Sequence, residues 1–277
     1  MFAPFLERAP AKVNLALHVL GRSADGYHEL DSVVAFADIC DTLLFEPSRS
    51  TSLTVTGPFG AGLSAGADNL VLRALHELRK HVRLPEMHIT LEKALPVAAG
   101  LGGGSADAAA ALRGGLHAAG VELPDETLRQ IALRIGADVP VCLVSRASRM
   151  QGVGEQISDL VIPHGAIILI NPGVPCSTAE IFTVLGLQAG QAHKTGLDPL
   201  DATSWRNDLA EPAMSVQPAI KDVLGILRGI PDFSAVNMSG SGATCFGLLS
   251  DALQAEAVAR EIAAAHPAWW VKAARLS

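Results

Sequence analysis

Between Leu95 and Leu112 the chain reads Leu-Pro-Val-Ala-Ala-Gly-Leu-Gly-Gly-Gly-Ser-Ala-Asp-Ala-Ala-Ala-Ala-Leu, and no other stretch constrains the fold as tightly. An apolar strand exit runs into Gly100, Gly102, Gly103 and Gly104, then through Ser105 into an alanine-rich helix. Glycines remove every side chain that would hold an anion away from the backbone. The free N–H groups of the helix's first turn then face the loop, with the positive end of the dipole behind them. The pattern is not a Walker A loop, because no Lys-Ser/Thr follows at the required spacing. It is not a dinucleotide fingerprint either, because serine stands at 105 where a third glycine is needed. The competing reading is a flexible hinge that caps a helix. Against it, each glycine carries an entropic cost of about 0.5–1 kcal/mol that a plain turn need not bear.

The rest of the composition fits an anion site built from backbone. The 277 residues carry a formal net charge of -7 and are 49% hydrophobic. That excludes a disordered chain, and it repels nucleic acid and anionic membrane at long range, so any phosphate ligand must be held locally. No apolar run reaches the roughly 18 residues of a membrane span. The first ten residues contain Glu7 and Arg8 and lack an apolar leader core, so a cytoplasmic protein is expected. Cys40, Cys142, Cys176 and Cys245 are too widely spaced for a Cys-x-x-Cys pair and read as reduced thiols.

Along the chain, Val13, Leu15, Leu17 and Val19 alternate with Asn14, Ala16 and His18, which predicts a half-buried strand with Lys12 and Asn14 on its other face. Residues 21–28 read as a polar turn, and 32–45, 52–56 and 87–91 as strands. Residues 69–82 have helical spacing, as do 127–135, closed by Gly136, and 251–265. Residues 166–170 read as a strand, and 236–249 as strand, glycine turn, strand. Strands and helices in mixed runs predict an α+β protein, with lobes at 1–150 and 151–277.

Several residues stand out as candidates for chemistry. Lys12 in Ala-Lys-Val-Asn-Leu and Asp138 in Gly-Ala-Asp-Val-Pro are charges in apolar surroundings. Each sits either at the end of an element facing solvent or buried with a partner. Tyr27 is the only tyrosine, in Asp-Gly-Tyr-His-Glu. It lies across the edge of the core or offers a stacking face for a ring, with His28 beside it as a hydrogen-bonding group. Ser239-Gly240-Ser241-Gly242 is either a hairpin turn or a second phosphate contact. His18, His76 and His117 form no metal-like cluster and read as structural or solvated.

Three motifs in order resemble those of the GHMP kinases: Pro-Ala-Lys-Val-Asn-Leu, Ala-Gly-Leu-Gly-Gly-Gly-Ser-Ala-Asp-Ala-Ala and Met-Ser-Gly-Ser-Gly-Ala-Thr. The triple glycine, with Arg22-Ser-Ala-Asp-Gly-Tyr-His28 and Gly136-Ala-Asp-Val-Pro140, is similar to the branch whose alcohol substrate is an isoprenoid precursor carrying cytidine diphosphate. The resemblance implies a two-lobed GHMP kinase fold, with an S5-like N-terminal lobe, a ferredoxin-like C-terminal lobe and a cleft between them. It implies ATP-dependent phosphorylation of an alcohol, with Mg2+ on the triphosphate and metal ligands not identified. Pro96, Gly100, Leu101, Gly102, Gly103, Gly104 and Ser105 match the ATP-phosphate loop. Asn69 and Lys93 match positions near the adenine, and Gly240, Ser241 and Gly242 the third motif. Asp138 matches the catalytic aspartate and Lys12 the lysine beside it. Asn14, Tyr27, His28, Thr178 and Phe182 match substrate positions, with Phe182 opposing Tyr27 across the cytosine.

Two positions depart from the family pattern. Ala106 replaces a second hydroxyl after the glycines, and Ala243 stands where proline is frequent. The resemblance implies a monomer or homodimer acting on a small molecule, with no nucleic acid or membrane partner. The alternatives are a GHMP kinase for mevalonate, homoserine or a sugar, and a non-catalytic metabolite-binding relative.

Overall fold

The computed structural model describes residues 2–162, 165–199 and 201–276. Two very long strands dominate the first third of the chain, β1 (Phe5–Arg22) and β2 (His28–Pro47). At 18 and 20 residues they far exceed the usual strand of about 5–6 residues. Each runs through both of the compact units into which the chain divides. The first unit comprises Met1–Ala11, Ile39–Val97 and Gly103–Ser145, and the second Lys12–Asp38, Ala98–Gly102 and Arg146–Ser277. The sequence suggests a boundary near residue 150. One crossing, at 145/146, falls near it, and the others lie within β1, within β2 and at each side of the glycine loop.

In the first unit, β3 (Ser52–Thr56) pairs in parallel with β4 (Met87–Glu92), from Ser52 opposite His88 to Thr56 opposite Glu92. The end of β2 pairs antiparallel with β4, from Thr42 opposite Glu92 to Pro47 opposite Met87. A parallel pair needs a crossover, and α1 (Leu70–Arg79) supplies it. Asn69 caps that helix by accepting from Val71 N at 2.9 Å. Helical spacing runs to residue 82, but α1 stops at Arg79 because Lys80 and His81 turn tightly onto Glu77 and Leu78.

Helix α2 (Gly103–Ala119) buries Ala106 and Ala108–Ala111. Its small residues let neighbours press close, and a Cβ on Gly114 would come within 2.3 Å of the Phe45 ring. Helix α3 (Asp125–Ile135) follows. Then comes α4 (Val139–Val144), which the β-branched residues of Val-Pro-Val-Cys-Leu-Val hide from sequence reading. Pro140 lies in its first turn, where a missing N–H costs no hydrogen bond.

In the second unit, the start of β2 pairs with β5 (Ser148–Gly152), and β5 with β6 (Gln156–Asp159). A separate antiparallel sheet has the order β10-β7-β9-β8, formed by β7 (Ala166–Asn171), β8 (Ala235–Met238), β9 (Cys245–Leu249) and β10 (Trp270–Arg275). Strand β7, between β10 and β9, is buried along its whole length. Helices α5 (Thr178–Leu185), α6 (Ala210–Val216) and α7 (Ala219–Arg228) connect β7 to β8, and α8 (Ala252–Ala265) connects β9 to β10. This βαββαβ order is the ferredoxin-like arrangement. Ile168, Ile170, Ile220, Leu224 and Met238 are among its core residues.

One expectation about β1 fails. The strand is not half-buried: residues 11–19 are buried on both faces. Residues 190–193 and 206–208 run along it and take up its backbone groups, with Leu17 N donating to Arg206 O at 2.8 Å and His193 N to Leu20 O at 2.7 Å. Asp208 accepts from Val19 N at 2.9 Å. His18 is fully buried, with the Thr195 and Ser204 backbone beside its ring. Burial, reinforced by the Arg206 charge, holds its pKa below the ordinary value, so the ring is neutral. Its role is structural. His76 and His117 are exposed.

Candidate active site

Strand β1 delivers Lys12 and Asn14 to the second unit, where both are buried. A lysine only 3% exposed settles the choice left open by the sequence: this charge is internal and its direction is set. Lys12 Nζ donates to Asn14 Oδ1 at 2.9 Å, Asn14 Nδ2 to Ser32 Oγ at 2.8 Å, and Ser32 Oγ to Ala16 O at 2.6 Å. The relay fixes which end of the Asn14 amide faces the ammonium.

The glycine loop lies against this relay. Lys12 N donates to Leu101 O at 2.9 Å. A Cβ on Gly102 would stand 3.0 Å from Lys12 Cε, and the backbone there has φ +61. At Gly100, φ is +75 and a Cβ would fall 2.2 Å from Ser239 O. Glycine is required at both, by the left-handed conformation and by close approach. Gly103 and Gly104 begin α2 instead. Their amides, with that of Ser105, are first-turn N–H groups that a helix leaves without intrahelical partners.

The third motif completes the group within the second unit. Ser239 Oγ donates to Gly100 O at 2.8 Å and accepts from Asn14 N at 3.0 Å. Thr244 N donates to Ala99 O at 3.1 Å. Gly240 and Gly242 have φ of +56 and +88, so the segment is more than a hairpin turn: it is built onto the glycine loop and the Asn14 strand. Asn207 Nδ2 donates to Met238 O at 2.7 Å and Gly240 O at 2.8 Å, holding the turn from behind. Sequence reasoning misses Asn207 because it belongs to no motif or periodic element. Ser239, which joins all three segments, stands out in the sequence only as part of a glycine turn.

On the same unit, α5 presents Phe182 to His28, with ring centroids 4.3 Å apart and planes inclined by 25°. Burial and the Arg22 charge keep the pKa of His28 below its ordinary value, so a neutral ring stacks on Phe182. Tyr27 is 64% exposed at the tip of the turn. It does not lie across the core's edge. Arg22 shapes the turn through Gly26 O at 3.0 Å and also reaches Leu187 O at 3.0 Å. Thr178, the first residue of α5, shares a 2.8 Å hydrogen bond with Ser241.

The remaining candidates lie in the first unit. Asp138 precedes α4 at the Gly136–Asp138 turn and is partly exposed. The side chain of Asn69 is engaged at both ends, capping α1 and donating to Ser64 O at 2.7 Å. Pro96 is buried at the loop's entry. Lys93 is buried between two carboxylates, bonding Asp107 Oδ2 at 2.7 Å and Asp41 Oδ2. Burial alone would lower its pKa, but Asp107 and Asp41 hold it above the ordinary value. Burial and the neighbouring Asp41 push the Asp107 carboxyl up to about 7 against the pull of Lys93. Asp41 and Asp107 escape sequence reasoning, since nothing in their spacing announces a common partner.

Residues 69–146 match the model of the GHMP kinases N terminal domain, and residues 195–268 that of the GHMP kinases C terminal. The chain belongs to the GHMP kinase family. It is 46% identical to the 4-diphosphocytidyl-2-C-methyl-D-erythritol kinase of Bradyrhizobium sp. (strain BTAi1), over 99% of this chain and 97% of that one. It is 47% identical to the protein of the same name from Paramagnetospirillum magneticum, over 98% of each. A crystal structure of 4-(cytidine 5'-diphospho)-2C-methyl-D-erythritol kinase aligns with a TM-score of 0.83 at 32% identity, covering 99% of both chains. The GHMP kinase fold is thus present at full length. Among the described residues, no helix is long and apolar enough to cross a membrane.

Proposed function

We propose that this chain transfers the γ-phosphoryl group of ATP to the 2-hydroxyl of 4-diphosphocytidyl-2-C-methyl-D-erythritol, a step of isoprenoid biosynthesis by the non-mevalonate route. The observation that carries the reading is full-length identity of 46–47% with relatives of that name. The site supports it. The alcohol oxygen forms a bond to the γ-phosphorus as the bond to the ADP oxygen breaks, and the alcohol proton passes to Asp138. Little covalent chemistry is asked of the protein in such a transfer, so positioning and charge stabilisation dominate.

Lys12, aimed by Asn14 and Ser32, steadies the developing charge. Gly100 to Ser105 and Gly240 to Gly242 hold phosphates by backbone amides, with Pro96 setting the loop's entry. Asn69 and Lys93 belong to the nucleotide side. Tyr27, His28 and Phe182 recognise the cytosine, with Asn14 and Thr178 beside the rest of the substrate. Mg2+ would be held by the triphosphate oxygens, with Ser105 the hydroxyl that the loop offers beside them. No three His, Cys, Asp or Glu side chains cluster for a metal among the described residues. When bound, the ion neutralises phosphate charge. With nucleotide substrates on both sides of the reaction, the protein acts as a cytoplasmic enzyme on small molecules, as monomer or homodimer.

A coupled assay for ADP release, run over candidate alcohols, tests this. The cytidyl substrate should be turned over with the highest kcat/KM, and CDP should compete with it. Faster phosphorylation of mevalonate or homoserine, or no competition by CDP, would overturn the substrate assignment and leave the family membership standing.

A further inference from the structure

Three buried charges meet where the glycine loop leaves the first unit and returns to it. Lys93 directly follows β4, Asp41 lies in the second half of β2, and Asp107 lies one turn into α2. None is more than 4% exposed. Asp41 Oδ1 accepts from Ala94 N at 2.7 Å and Leu95 N at 2.9 Å, the last two residues before Pro96 opens the loop. Asp41 Oδ2 and Asp107 Oδ2 both accept from Lys93 Nζ. A Cβ on Gly103, the first residue after the loop, would lie 3.3 Å from that ammonium and 3.5 Å from Asp41 Oδ2.

We infer that Lys93 is a positioning residue: with Asp41 and Asp107 it locks the two ends of the glycine loop together and does not itself touch the phosphates. The inference rests on the nucleotide role proposed for that loop.

The charge balance argues for a lock over a phosphate contact. One ammonium faces two carboxyl groups, so the cluster has no surplus positive charge to offer a polyanion. Burying charges is expensive, and a buried ion pair adds little net stability over apolar packing. What this cluster does supply is a fixed connection between segments. The path from the loop's entry at Leu95 to its exit in α2 runs through a single nitrogen. Among the described residues Asp107 Oδ1 is buried without a hydrogen bond, and Oδ2 bonds Lys93. A loop as rich in glycine as 96–102 has many conformations to lose, and tying its ends lowers the entropy lost on ordering it around a ligand.

Asp107→Ala separates the two roles by sign. It removes a negative charge beside an anion site and frees one side of Lys93. If Lys93 were a phosphate cation, ATP binding would tighten or stay unchanged. If the cluster is a lock, binding weakens. We expect the KM for ATP to rise about tenfold, with kcat at saturating ATP within about threefold and the alcohol's KM unmoved. Asp107→Asn, which still accepts from Lys93, should recover most of the loss. In a Lys93→Met background, Asp107→Ala should add less than about twofold, because the lock is already open. Calorimetric titration with a non-hydrolysable ATP analogue reads the same order of affinities without turnover. A wild type that binds no analogue overturns the role of the loop and this inference together. A wild type that binds, with Asp107→Ala binding as tightly, overturns the lock alone, as do losses from the two substitutions that multiply.

Discussion

The hydroxyl oxygens of Thr178 and Ser241 lie 2.8 Å apart. Thr178 opens α5, which one turn later carries Phe182 against the His28 ring. Ser241 is buried between the two left-handed glycines of the third motif. A single hydrogen bond therefore joins the helix that presents an aromatic face to the turn proposed to hold phosphate. Thr178→Val keeps the branched shape and removes the hydroxyl, leaving Ser241 to find another partner. Losing one partner of a buried hydroxyl costs about 1–3 kcal/mol. The KM values for ATP and for the cytidyl substrate should both rise, by about three- to tenfold, and Thr178→Ser should restore them. Steady-state kinetics with both substrates varied is the check. Movement of one KM alone would mean that the bond does not connect the two sides.

The glycine loop makes different demands at different positions. Gly102 sits at φ +61, and a methyl group on it would lie 3.0 Å from Lys12 Cε. Gly103 instead begins a helix, and a methyl group there would meet Lys93 Nζ at 3.3 Å and Asp41 Oδ2 at 3.5 Å, without a left-handed backbone. Gly102→Ala should cost about 1–2 kcal/mol for the left-handed backbone and displace the ammonium of Lys12. We expect its kcat/KM to fall at least about tenfold, and further than that of Gly103→Ala. The reverse order would show that Lys12 is not held by this contact.

Much of this arrangement is legible in the chain because local chemistry determines it. Gly100 and Gly102 announce left-handed backbone, the alanines of α2 a crowded helix, and Asn69 and Asp251 the starts of α1 and α8. What stays hidden depends on residues far apart in sequence. Strand β1 reads as half-buried because the residues that run along it, 190–193 and 206–208, lie far along the chain. Asp41, Lys93 and Asp107 are ordinary charges until three elements bring them together. Asn207 becomes a support for the third motif only once its amide finds Met238 O and Gly240 O. Long-range pairing of this kind leaves no periodic trace.

Asp138→Asn keeps the shape at the start of α4, where Pro140 already suits the first turn. An amide cannot take the alcohol's proton. Loss of a general base lowers rate by about 10²- to 10⁴-fold. The variant should bind ATP and the cytidyl substrate as the wild type does, with kcat reduced to that extent. Retention of more than about a third of wild-type kcat would remove Asp138 from the role, unless a pre-steady-state burst showed that product release limits turnover.

Asp107 also makes a prediction about stability. Its carboxyl is pushed from an ordinary 3.8 up to about 7, by burial first and then by Asp41, with Lys93 opposing. Between those two values the folded protein holds this proton more tightly than the unfolded chain does. The stability that the group contributes is fully present below pH 3.8 and is lost as pH rises through about 7. Asp107→Asn removes the titration and keeps an acceptor for Lys93. Urea unfolding at pH 5 and pH 8 should therefore show a larger fall in stability with rising pH for the wild type than for the variant. The two proteins should converge towards low pH, where the wild-type carboxyl is neutral in both states. An equal fall in the two would show that this carboxyl does not change its protonation across that range, and that Lys93 keeps both partners ionised throughout.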